Sequence, residues 1–279
     1  MENNTQSPFA GLYTPLTAEQ TDAYLTRLGC ERKPEPTLAY LAELMKAQLL
    51  NVPFEDLEVF HGRTQPSLNT ADMFDKIVTR RRGGYCFELN GLFQKLLESL
   101  GFCCRCVIGR IALGRGHLTP PAHRVMLVEL DGSTFFCDVG FGGPVPLSPI
   151  RLTENETLTC AAGRRYRFER GERETAILLE RDGAFTPMIL FSEIPCDLID
   201  YVPLNAFCAY APTQPFSQRQ MVSRWSPDGK CSISGDLLTV EKNGTAAETR
   251  LDTEESLRAA LKEHFGIVYD GALRDWREQ

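Results

Sequence analysis

The 279-residue chain lacks the long apolar runs of a membrane protein. No stretch approaches the roughly 18 consecutive apolar residues that a spanning helix needs. It also lacks an excess of positive charge, because 37 acidic residues against 30 basic ones give a net charge of -7 and disfavour nucleic acid and anionic lipid as partners. The opening letters, MENNTQSPFAGLY, lack the basic and apolar regions of a secretory signal. We therefore expect a globular, cytoplasmic protein without a membrane or nucleic-acid partner.

Metal-ligand patterns are scarce, although the chain has 10 cysteines and 4 histidines. Cys103, Cys104 and Cys106 lie in one β-rich run, but no second C-x-x-C and no Cys/His pair at ligand spacing accompanies them. Without an export signal, the cysteines are expected to be mostly reduced thiols. We predict no metal site. A redox or metal-binding protein built on these cysteines is the non-enzymatic alternative, and it predicts bound zinc or a reversible disulfide.

The first hundred residues show apolar stripes with helical spacing and recognisable caps. Thr17 and Gln20 form a capping-box pattern, and Gly29 stands where that helix should end. The fourth stripe begins at Cys86 and ends at Gly101. These patterns predict four successive helices and an α-rich N-terminal region.

After Gly101 the hydrophobic period changes to two. The runs CRCVIGRIAL, RVMLVEL, TFFCDV, RRYRFER, TAILLER and FTPMILF are typical of strands, and Asp-Gly turns at 131–132 and 182–183 predict an antiparallel sheet or barrel. The stretch SEIPCDLIDYVPLNAF is interpreted as a connector. Hairpins are predicted at 228–229 and 243–244, followed by a last helix from Glu254 to Phe265, with Asp252 and Glu255 as its capping pair. The fold class is therefore α+β.

RRGGYCFELN places arginines and glycines directly before a cysteine that opens a helical stripe. A sulfur at a helix N-terminus is stabilised as an anion by free N–H groups and the macrodipole, which predicts a lowered thiol pKa. The arginines at 80–82 should add positive potential, and Gly83-Gly84 should end the preceding helix and let N–H groups face a reacting carbonyl. Cys86 is thus a candidate nucleophile, although most helical cysteines simply pack on an apolar face.

A second element favours the catalytic interpretation. In AHRVMLVELDGSTFFCDVGFG, a two-residue turn at Asp131-Gly132 pairs Val125 with Asp138. His123 then lies on the same face, diagonal to the carboxylate, with about 7 Å between the Cα atoms. An imidazole can reach a carboxylate across that gap and keep its other nitrogen free to deprotonate a thiol. The combination predicts a triad of Cys86, His123 and Asp138.

The remaining histidines have simpler explanations. His61 lies in a polar turn, and His117 lies in a Gly/Pro-rich loop. His264 lies near a helix C-terminus, where a cation is favoured. We expect no catalytic role for these three residues.

These residues, in this order, resemble the motifs of the arylamine N-acetyltransferase family. RRGGYCFELN is similar to the family's RRGGxCxExN signature, AHRVMLVEL to its histidine strand and DVGFG to its aspartate motif. NVPFEDLEVF resembles the upstream PFEN segment, with Asp56 where asparagine is usual. The resemblance covers essentially the whole chain.

The resemblance implies an α+β architecture with a core similar to papain-like cysteine enzymes. It places the catalytic cysteine in an N-terminal helical bundle over residues 1–100. The histidine and the aspartate would lie in a central antiparallel β-barrel-like domain over 101–205, and residues 206–279 would form an α/β lid.

The resemblance also implies acetyl-CoA-dependent N-acetylation of arylamines and arylhydrazines by a ping-pong mechanism. Cys86 would hold the acetyl group as a thioester, His123 would act as base and acid, and Asp138 would orient the ring. Acetyl-CoA would be a co-substrate, and no metal would take part.

Positions outside the triad follow from the same resemblance. Phe141 should line the aromatic-substrate pocket, and Gly142, Gly143 and Phe216 should contact CoA. The chain has Gln214-Pro215-Phe216 where the family usually carries Ser/Thr-x-Phe, so the CoA contacts there and the acyl-chain preference stay open.

Glu55 and Arg81 also match family positions, and we expect them to form a buried ion pair between helices. Reversing either charge should then destabilise the fold.

The same triad suits other acceptors, because water, amines and alcohols can all accept an acyl group from cysteine. A cysteine hydrolase, a transglutaminase-like enzyme and an amide-forming acyltransferase acting on a tethered biosynthetic chain are the alternatives. The resemblance favours acetyl transfer to an arylamine, while the physiological amine and the oligomeric state stay open.

Overall fold

The computed structural model describes residues 7–154, 156–159 and 163–277. The opening segment was predicted not to be a secretory signal, and its first six residues lie outside the described residues. The helices are α1 (Ala18–Leu28), α2 (Leu38–Asn51), α3 (Leu57–Phe60), α4 (Thr70–Phe74), α5 (Cys86–Ser99), α6 (Tyr201–Tyr210), α7 (Pro215–Gln218) and α8 (Glu254–Phe265). None of the described helices combines the length and the apolar character needed to cross a bilayer.

Within the described residues, the strands form two antiparallel sheets. They are β1 (Phe54–Glu55), β2 (Cys103–Ile111), β3 (His123–Leu130), β4 (Ser133–Cys137), β5 (Ile150–Arg151), β6 (Thr157–Thr159), β7 (Arg165–Arg170), β8 (Thr175–Arg181), β9 (Ala184–Phe191), β10 (Met221–Ser226), β11 (Gly229–Ser234), β12 (Leu237–Lys242) and β13 (Thr245–Arg250). The larger sheet has the order β5-β4-β3-β2-β9-β8-β7-β6, and the smaller has the order β1-β10-β11-β12-β13.

The N-terminal helices begin and end close to the predicted caps. Thr17 and Gln20 form the capping box of α1, and Gly29 ends that helix in the left-handed conformation at φ 72°. Helix α4 continues into a π turn over Asp75–Thr79, which the apolar spacing did not reveal. The turn ends at Thr79, with Arg80 as its C-cap, rather than at the predicted glycines.

The central region is the predicted antiparallel, barrel-like sheet. Leu130 pairs with Ser133 across the Asp131-Gly132 turn, and both turn residues have positive φ, as a type I′ hairpin requires. Asp182-Gly183 joins β8 to β9 in the same way. One face of β3 packs inside this sheet, and the other faces the helices. Strand β3 therefore connects the helical core to the barrel core.

The smaller sheet combines distant parts of the chain. Strand β1, from the helical region, pairs with β10 near the C-terminal end of the chain. Helix α8 has the predicted bounds, but its cap lies one residue later than predicted. Thr253 accepts a hydrogen bond from the main-chain N–H of Ser256, so the capping pair assigned to Asp252 and Glu255 is wrong.

The predicted connector contains a helix. Helix α6 is apolar on most sides, and its Pro203 lies in the first turn, where main-chain N–H groups need no intrahelical partner. The lack of amphipathic spacing concealed this element. Helix α6 also spans the predicted boundary between residues 205 and 206, and the division into three domains stays a prediction.

Candidate active site

Cys86 is the first residue of α5, as the sequence predicts, and its side chain is only 3% exposed. Glu88 caps this end of the helix by accepting a hydrogen bond from the main-chain N–H of Tyr85 at 3.1 Å. Lys76, also buried, donates to the other Glu88 oxygen at 2.8 Å. Burial raises the pKa of Glu88 to about 7, and Lys76 opposes that shift. The cysteine thus lies at an anchored helix N-terminus.

The arginines before Cys86 do not act as predicted. Arg82, rather than Arg81, forms the buried ion pair with Glu55, through two hydrogen bonds of 2.8 and 2.9 Å. Arg81 is exposed and has a positive φ of 53°, and exposed Arg80 pairs with Asp75. The predicted Glu55–Arg81 pair is therefore wrong by one residue, since the left-handed turn at position 81 directs the next side chain inward. The Arg82 charge is neutralised by Glu55 rather than directed at the sulfur.

Gly83 is required by close packing against the PFED segment, whereas a Cβ on Gly84 would lie 2.9 Å from the Glu88 side chain. A Cβ on Gly83 would lie 2.0 Å from the carbonyl oxygen of Pro53, which no other residue type could avoid. The carbonyl of Gly84 accepts a hydrogen bond from the main-chain N–H of Glu55 at 2.9 Å. The two motifs that carry the family resemblance are therefore in direct contact.

His123 and Asp138 meet as the hairpin register predicts. Nε2 of His123 lies 2.6 Å from Oδ2 of Asp138, and both side chains are buried. The other Asp138 oxygen accepts from the main-chain N–H of Gly140 at 2.8 Å. Strand β4 ends at Cys137, so Asp138 is the first residue after the strand, and its side chain faces the ring.

The Cys86 thiol is hydrogen-bonded to the His123 ring, so the three side chains form a connected series. Burial raises the pKa of the thiol, and His123 together with the main-chain N–H of Arg124 offsets this only in part. The prediction of a lowered thiol pKa is therefore wrong in direction. Burial alone lowers the pKa of His123, but the Asp138 carboxylate outweighs it and raises that pKa to about 10. The cationic ring thus favours an anionic sulfur beside it.

A cavity of about 580 Å³ reaches Cys86 and His123. Phe141, Gly142, Gly143 and Phe216, predicted from the resemblance, all line it, as does His117 of the β2–β3 loop. The Phe141 ring packs edge-on against His123 at 6.0 Å between centroids. Their contacts with substrates stay predictions.

Part of the cavity lining comes from the smaller sheet, through residues of β10 and β11. Gly142 has a φ of 72°, and a Cβ there would lie 2.7 Å from the Phe54 ring. Its carbonyl accepts hydrogen bonds from Ser223 at 2.8 Å and from Lys230 at 2.6 Å. Burial lowers the pKa of Lys230 to about 8. No local pattern in the sequence marks Lys230, because only the pairing of β10 with β11 brings it to the cavity.

Two further histidines make contacts away from the triad, and the burial of His61 differs from the polar turn predicted for it. His61 is buried, bonds to Gln220 at 2.9 Å and accepts from the main-chain N–H of Arg274 at 3.0 Å. His264 lies in the last turn of α8, as predicted. Neither lines the cavity.

The cysteine cluster shows no metal-binding geometry. Within residues 7–154, 156–159 and 163–277, no group of three or more His, Cys, Asp or Glu side chains could hold a metal ion. The cysteines in these ranges are free thiols. Cys160 lies outside the described residues.

A buried thiol, an imidazole and a carboxylate in hydrogen-bonded series, facing a cavity, define a cysteine-nucleophile enzyme of the acyl-transfer class. The comparisons with known proteins agree. A family model described as N-acetyltransferase matches residues 37–274. The arylamine N-acetyltransferase of Escherichia coli K12 is 35% identical over 79% of this chain and 79% of its own. That of Mycolicibacterium smegmatis is 33% identical over 90% of this chain and 94% of its own.

Solved structures give the same result. The arylamine N-acetyltransferase from Salmonella typhimurium matches with a TM-score of 0.86 at 30% identity, covering 92% of this chain and 95% of that one. The chain therefore belongs to the arylamine N-acetyltransferase family. The predicted α+β fold with a papain-like core is confirmed.

Proposed function

We propose that this protein transfers the acetyl group of acetyl-CoA to arylamines and arylhydrazines by a ping-pong mechanism through an acetyl-Cys86 thioester. The central support is the hydrogen-bonded series from Cys86 through His123 to Asp138 at a cavity large enough for a small molecule. Cys86 and His123 are adjacent ionisable groups, so they titrate as a pair. In the reactive form, the ring holds a proton and the sulfur holds none.

In the first half-reaction, the Cys86 sulfur attacks the acetyl carbonyl of acetyl-CoA. The bond between that carbon and the CoA sulfur breaks, and the leaving thiolate takes a proton from His123. The products are the acetyl-enzyme, a neutral imidazole and free CoA.

In the second half-reaction, the amine nitrogen attacks the thioester carbonyl, and neutral His123 takes the proton that the nitrogen releases. The carbon–sulfur bond to Cys86 breaks, and the sulfur leaves as an anion next to the newly formed imidazolium. Asp138 stabilises that cation, so the initial state is restored.

Several features support CoA as the carrier of the acetyl group. A Mycobacterium marinum arylamine N-acetyltransferase with a TM-score of 0.82 and 28% identity to this chain was solved in complex with CoA. In this chain the ionisable residues lining the cavity, among those that the structure describes and apart from the nucleophile, are Arg115, His117, His123, Arg219 and Lys230. Because none of them is acidic, the cavity suits the phosphate groups of CoA. Gly142, Gly143 and Phe216 are the proposed contacts along its chain.

The aromatic acceptor is supported by the surroundings of the thiol. Phe54, Phe141 and Phe216 line the cavity that reaches Cys86. Aromatic rings stack or pack edge-on with one another, so a flat arylamine gains contact area without ordering a flexible chain. Phe141, next to His123, is the proposed ring contact for the acceptor.

Initial-rate kinetics test the proposal. With acetyl-CoA and an arylamine varied together, a ping-pong transferase gives parallel double-reciprocal lines, and acetyl-CoA is consumed faster with the amine than with water alone. The same should hold for an arylhydrazine. Intersecting lines would contradict the acetyl-enzyme, and consumption that does not respond to the amine would favour the hydrolase.

A further inference from the structure

Asn90 lies one helical turn after Cys86 on the same face of α5, and its side chain is fully buried. Its Nδ2 donates to Asp138 Oδ1 at 3.0 Å and to the main-chain carbonyl of Arg124 at 2.6 Å. Its Oδ1 accepts from the main-chain N–H of Val139 at 2.9 Å. One carboxamide thus connects the nucleophile helix to both segments that bear the other members of the triad.

These bonds determine the orientation of the carboxamide. Both amide hydrogens face acceptors, and the oxygen faces a donor, so exchanging the oxygen and the nitrogen would break all three bonds. A buried carboxamide whose donors are all hydrogen-bonded has one favoured orientation.

The bond to Asp138 determines which carboxylate oxygen faces the ring. Oδ1 accepts from Asn90 and from the main-chain N–H of Gly140, which leaves Oδ2 for His123 at 2.6 Å. Without Asn90, Oδ1 would keep only the bond from Gly140, and the carboxylate would be held less firmly against rotation about its terminal bond. The bond to the Arg124 carbonyl acts on the residue after His123 and holds the start of β3 against α5.

We propose that Asn90 is a positioning residue of the triad, which holds Asp138 Oδ2 toward His123 and β3 against the helix that bears Cys86. The inference rests on the proposed function for its link to acetyl transfer. Asn90 does not line the cavity, so it acts through Asp138 and the backbone rather than on a substrate. Without it, the imidazolium loses part of its stabilisation, and the thiolate becomes less favourable.

Asn90→Leu keeps the approximate volume and removes the three hydrogen bonds. Misplacing a catalytic group by about 1 Å costs on the order of 100-fold in rate, so we expect kcat to fall by roughly 10- to 100-fold. The pH midpoint of Cys86 alkylation by iodoacetamide, measured without any acyl donor, should move upward by about one unit, the equivalent of one lost charge-assisted hydrogen bond.

Gln94→Leu is the matched control. Gln94 is buried one turn further along α5, and its Oε1 accepts from the Arg124 guanidinium at 2.6 Å and from the Cys106 thiol at 2.7 Å. It makes no hydrogen bond to the triad, so this variant should lose stability without moving the alkylation midpoint. If Asn90→Leu does not fold, Asn90→Ser retains one short donor and should show a smaller shift in the same direction.

A wild-type alkylation profile in the folded Asn90 variants would overturn the proposal. An equal shift in Gln94→Leu would do so as well, because it would mark a general effect of packing. Since alkylation needs no acetyl-CoA, failure of acetyl transfer in the wild type would count against the proposed function alone.

Discussion

At the residue scale, the His123 ring links the other two members of the triad. Its pKa rises to about 10 because the Asp138 carboxylate outweighs the cost of burial, whereas burial raises the pKa of Cys86. The sequence predicted the pairing of His123 with Asp138 from the hairpin register alone. It did not predict the burial of the thiol, because the elements that cover the sulfur come from distant parts of the chain.

Replacing His123 tests this electrostatic pairing. His123→Asn removes the cation beside the thiol but leaves the burial, so the pH midpoint of Cys86 alkylation should move upward. His117→Asn is the control, because His117 lines the same cavity without a hydrogen bond to Cys86. Equal midpoints in wild type and His123→Asn would contradict the pairing.

Asp56 is a second buried group, and it stands where the family usually has asparagine. Its Oδ1 accepts from the main-chain N–H of Met221 at 2.8 Å, but its Oδ2 is buried without a hydrogen-bond partner. Burial raises the pKa of Asp56 well above the ordinary value of 3.8. The folded protein therefore keeps a proton that the unfolded chain releases, so stability falls as the pH rises from 3.8 through the raised pKa.

Asp56→Asn should remove this loss. We expect the variant to be more stable than the wild type at neutral pH and the difference to shrink near pH 3.8, as measured by urea unfolding at several pH values. Asp182→Asn, at an exposed turn, changes the net charge equally and serves as control. A stability difference independent of pH would contradict a protonated Asp56.

At the scale of elements, the contact between the PFED and RRGG segments positions the start of α5. Glu55 and Arg82 are both nearly inaccessible, and their ion pair joins the two segments. Breaking a buried pair leaves an uncompensated charge and costs about 3–5 kcal/mol. We expect Glu55→Gln to lower the free energy of unfolding by that amount, measured by denaturant titration.

Arg81→Ala is the matched control for this pair. Arg81 is exposed, and surface substitutions usually change stability by less than about 0.5 kcal/mol. Comparable losses in Glu55→Gln and Arg81→Ala would contradict the assignment of the pair to Arg82.

Element prediction succeeded where periodicity and turn chemistry agreed and failed where they did not. The β3–β4 hairpin and α5 combine a clear period with a clear end signal. Helix α6 has neither, because apolar residues lie on most of its sides, whether or not those sides are buried. The left-handed turn at Arg81 carries no glycine to mark it, so the sequence assigned the ion pair to the wrong neighbour.

At the scale of the whole molecule, the chain is acidic but its cavity is basic. Among the described residues, the lysine and arginine side chains that line the cavity are Arg115, Arg219 and Lys230, and no aspartate or glutamate lines it. Lys230 reaches this cavity only because the smaller sheet forms one wall, which no local pattern could predict. Since screening weakens contacts between exposed charges, we expect the KM for acetyl-CoA to rise with ionic strength while the KM for a neutral arylamine changes little.

Lys230→Met should raise the KM for acetyl-CoA several-fold. In the wild type, this KM should also rise as the pH passes about 8, where Lys230 loses its charge, and the variant should lack that rise. Lys242→Met, on the same sheet but outside the cavity lining, is the control. An unchanged KM in Lys230→Met would exclude Lys230 from donor binding.

The acetyl-cysteine itself can be observed by intact-mass measurement after brief exposure to acetyl-CoA without an acceptor. We expect the wild type to gain one acetyl group, Cys86→Ala to gain none, and an added arylamine to remove the group from the wild type. Absence of the adduct in the wild type, or its persistence in Cys86→Ala, would contradict acyl transfer through Cys86.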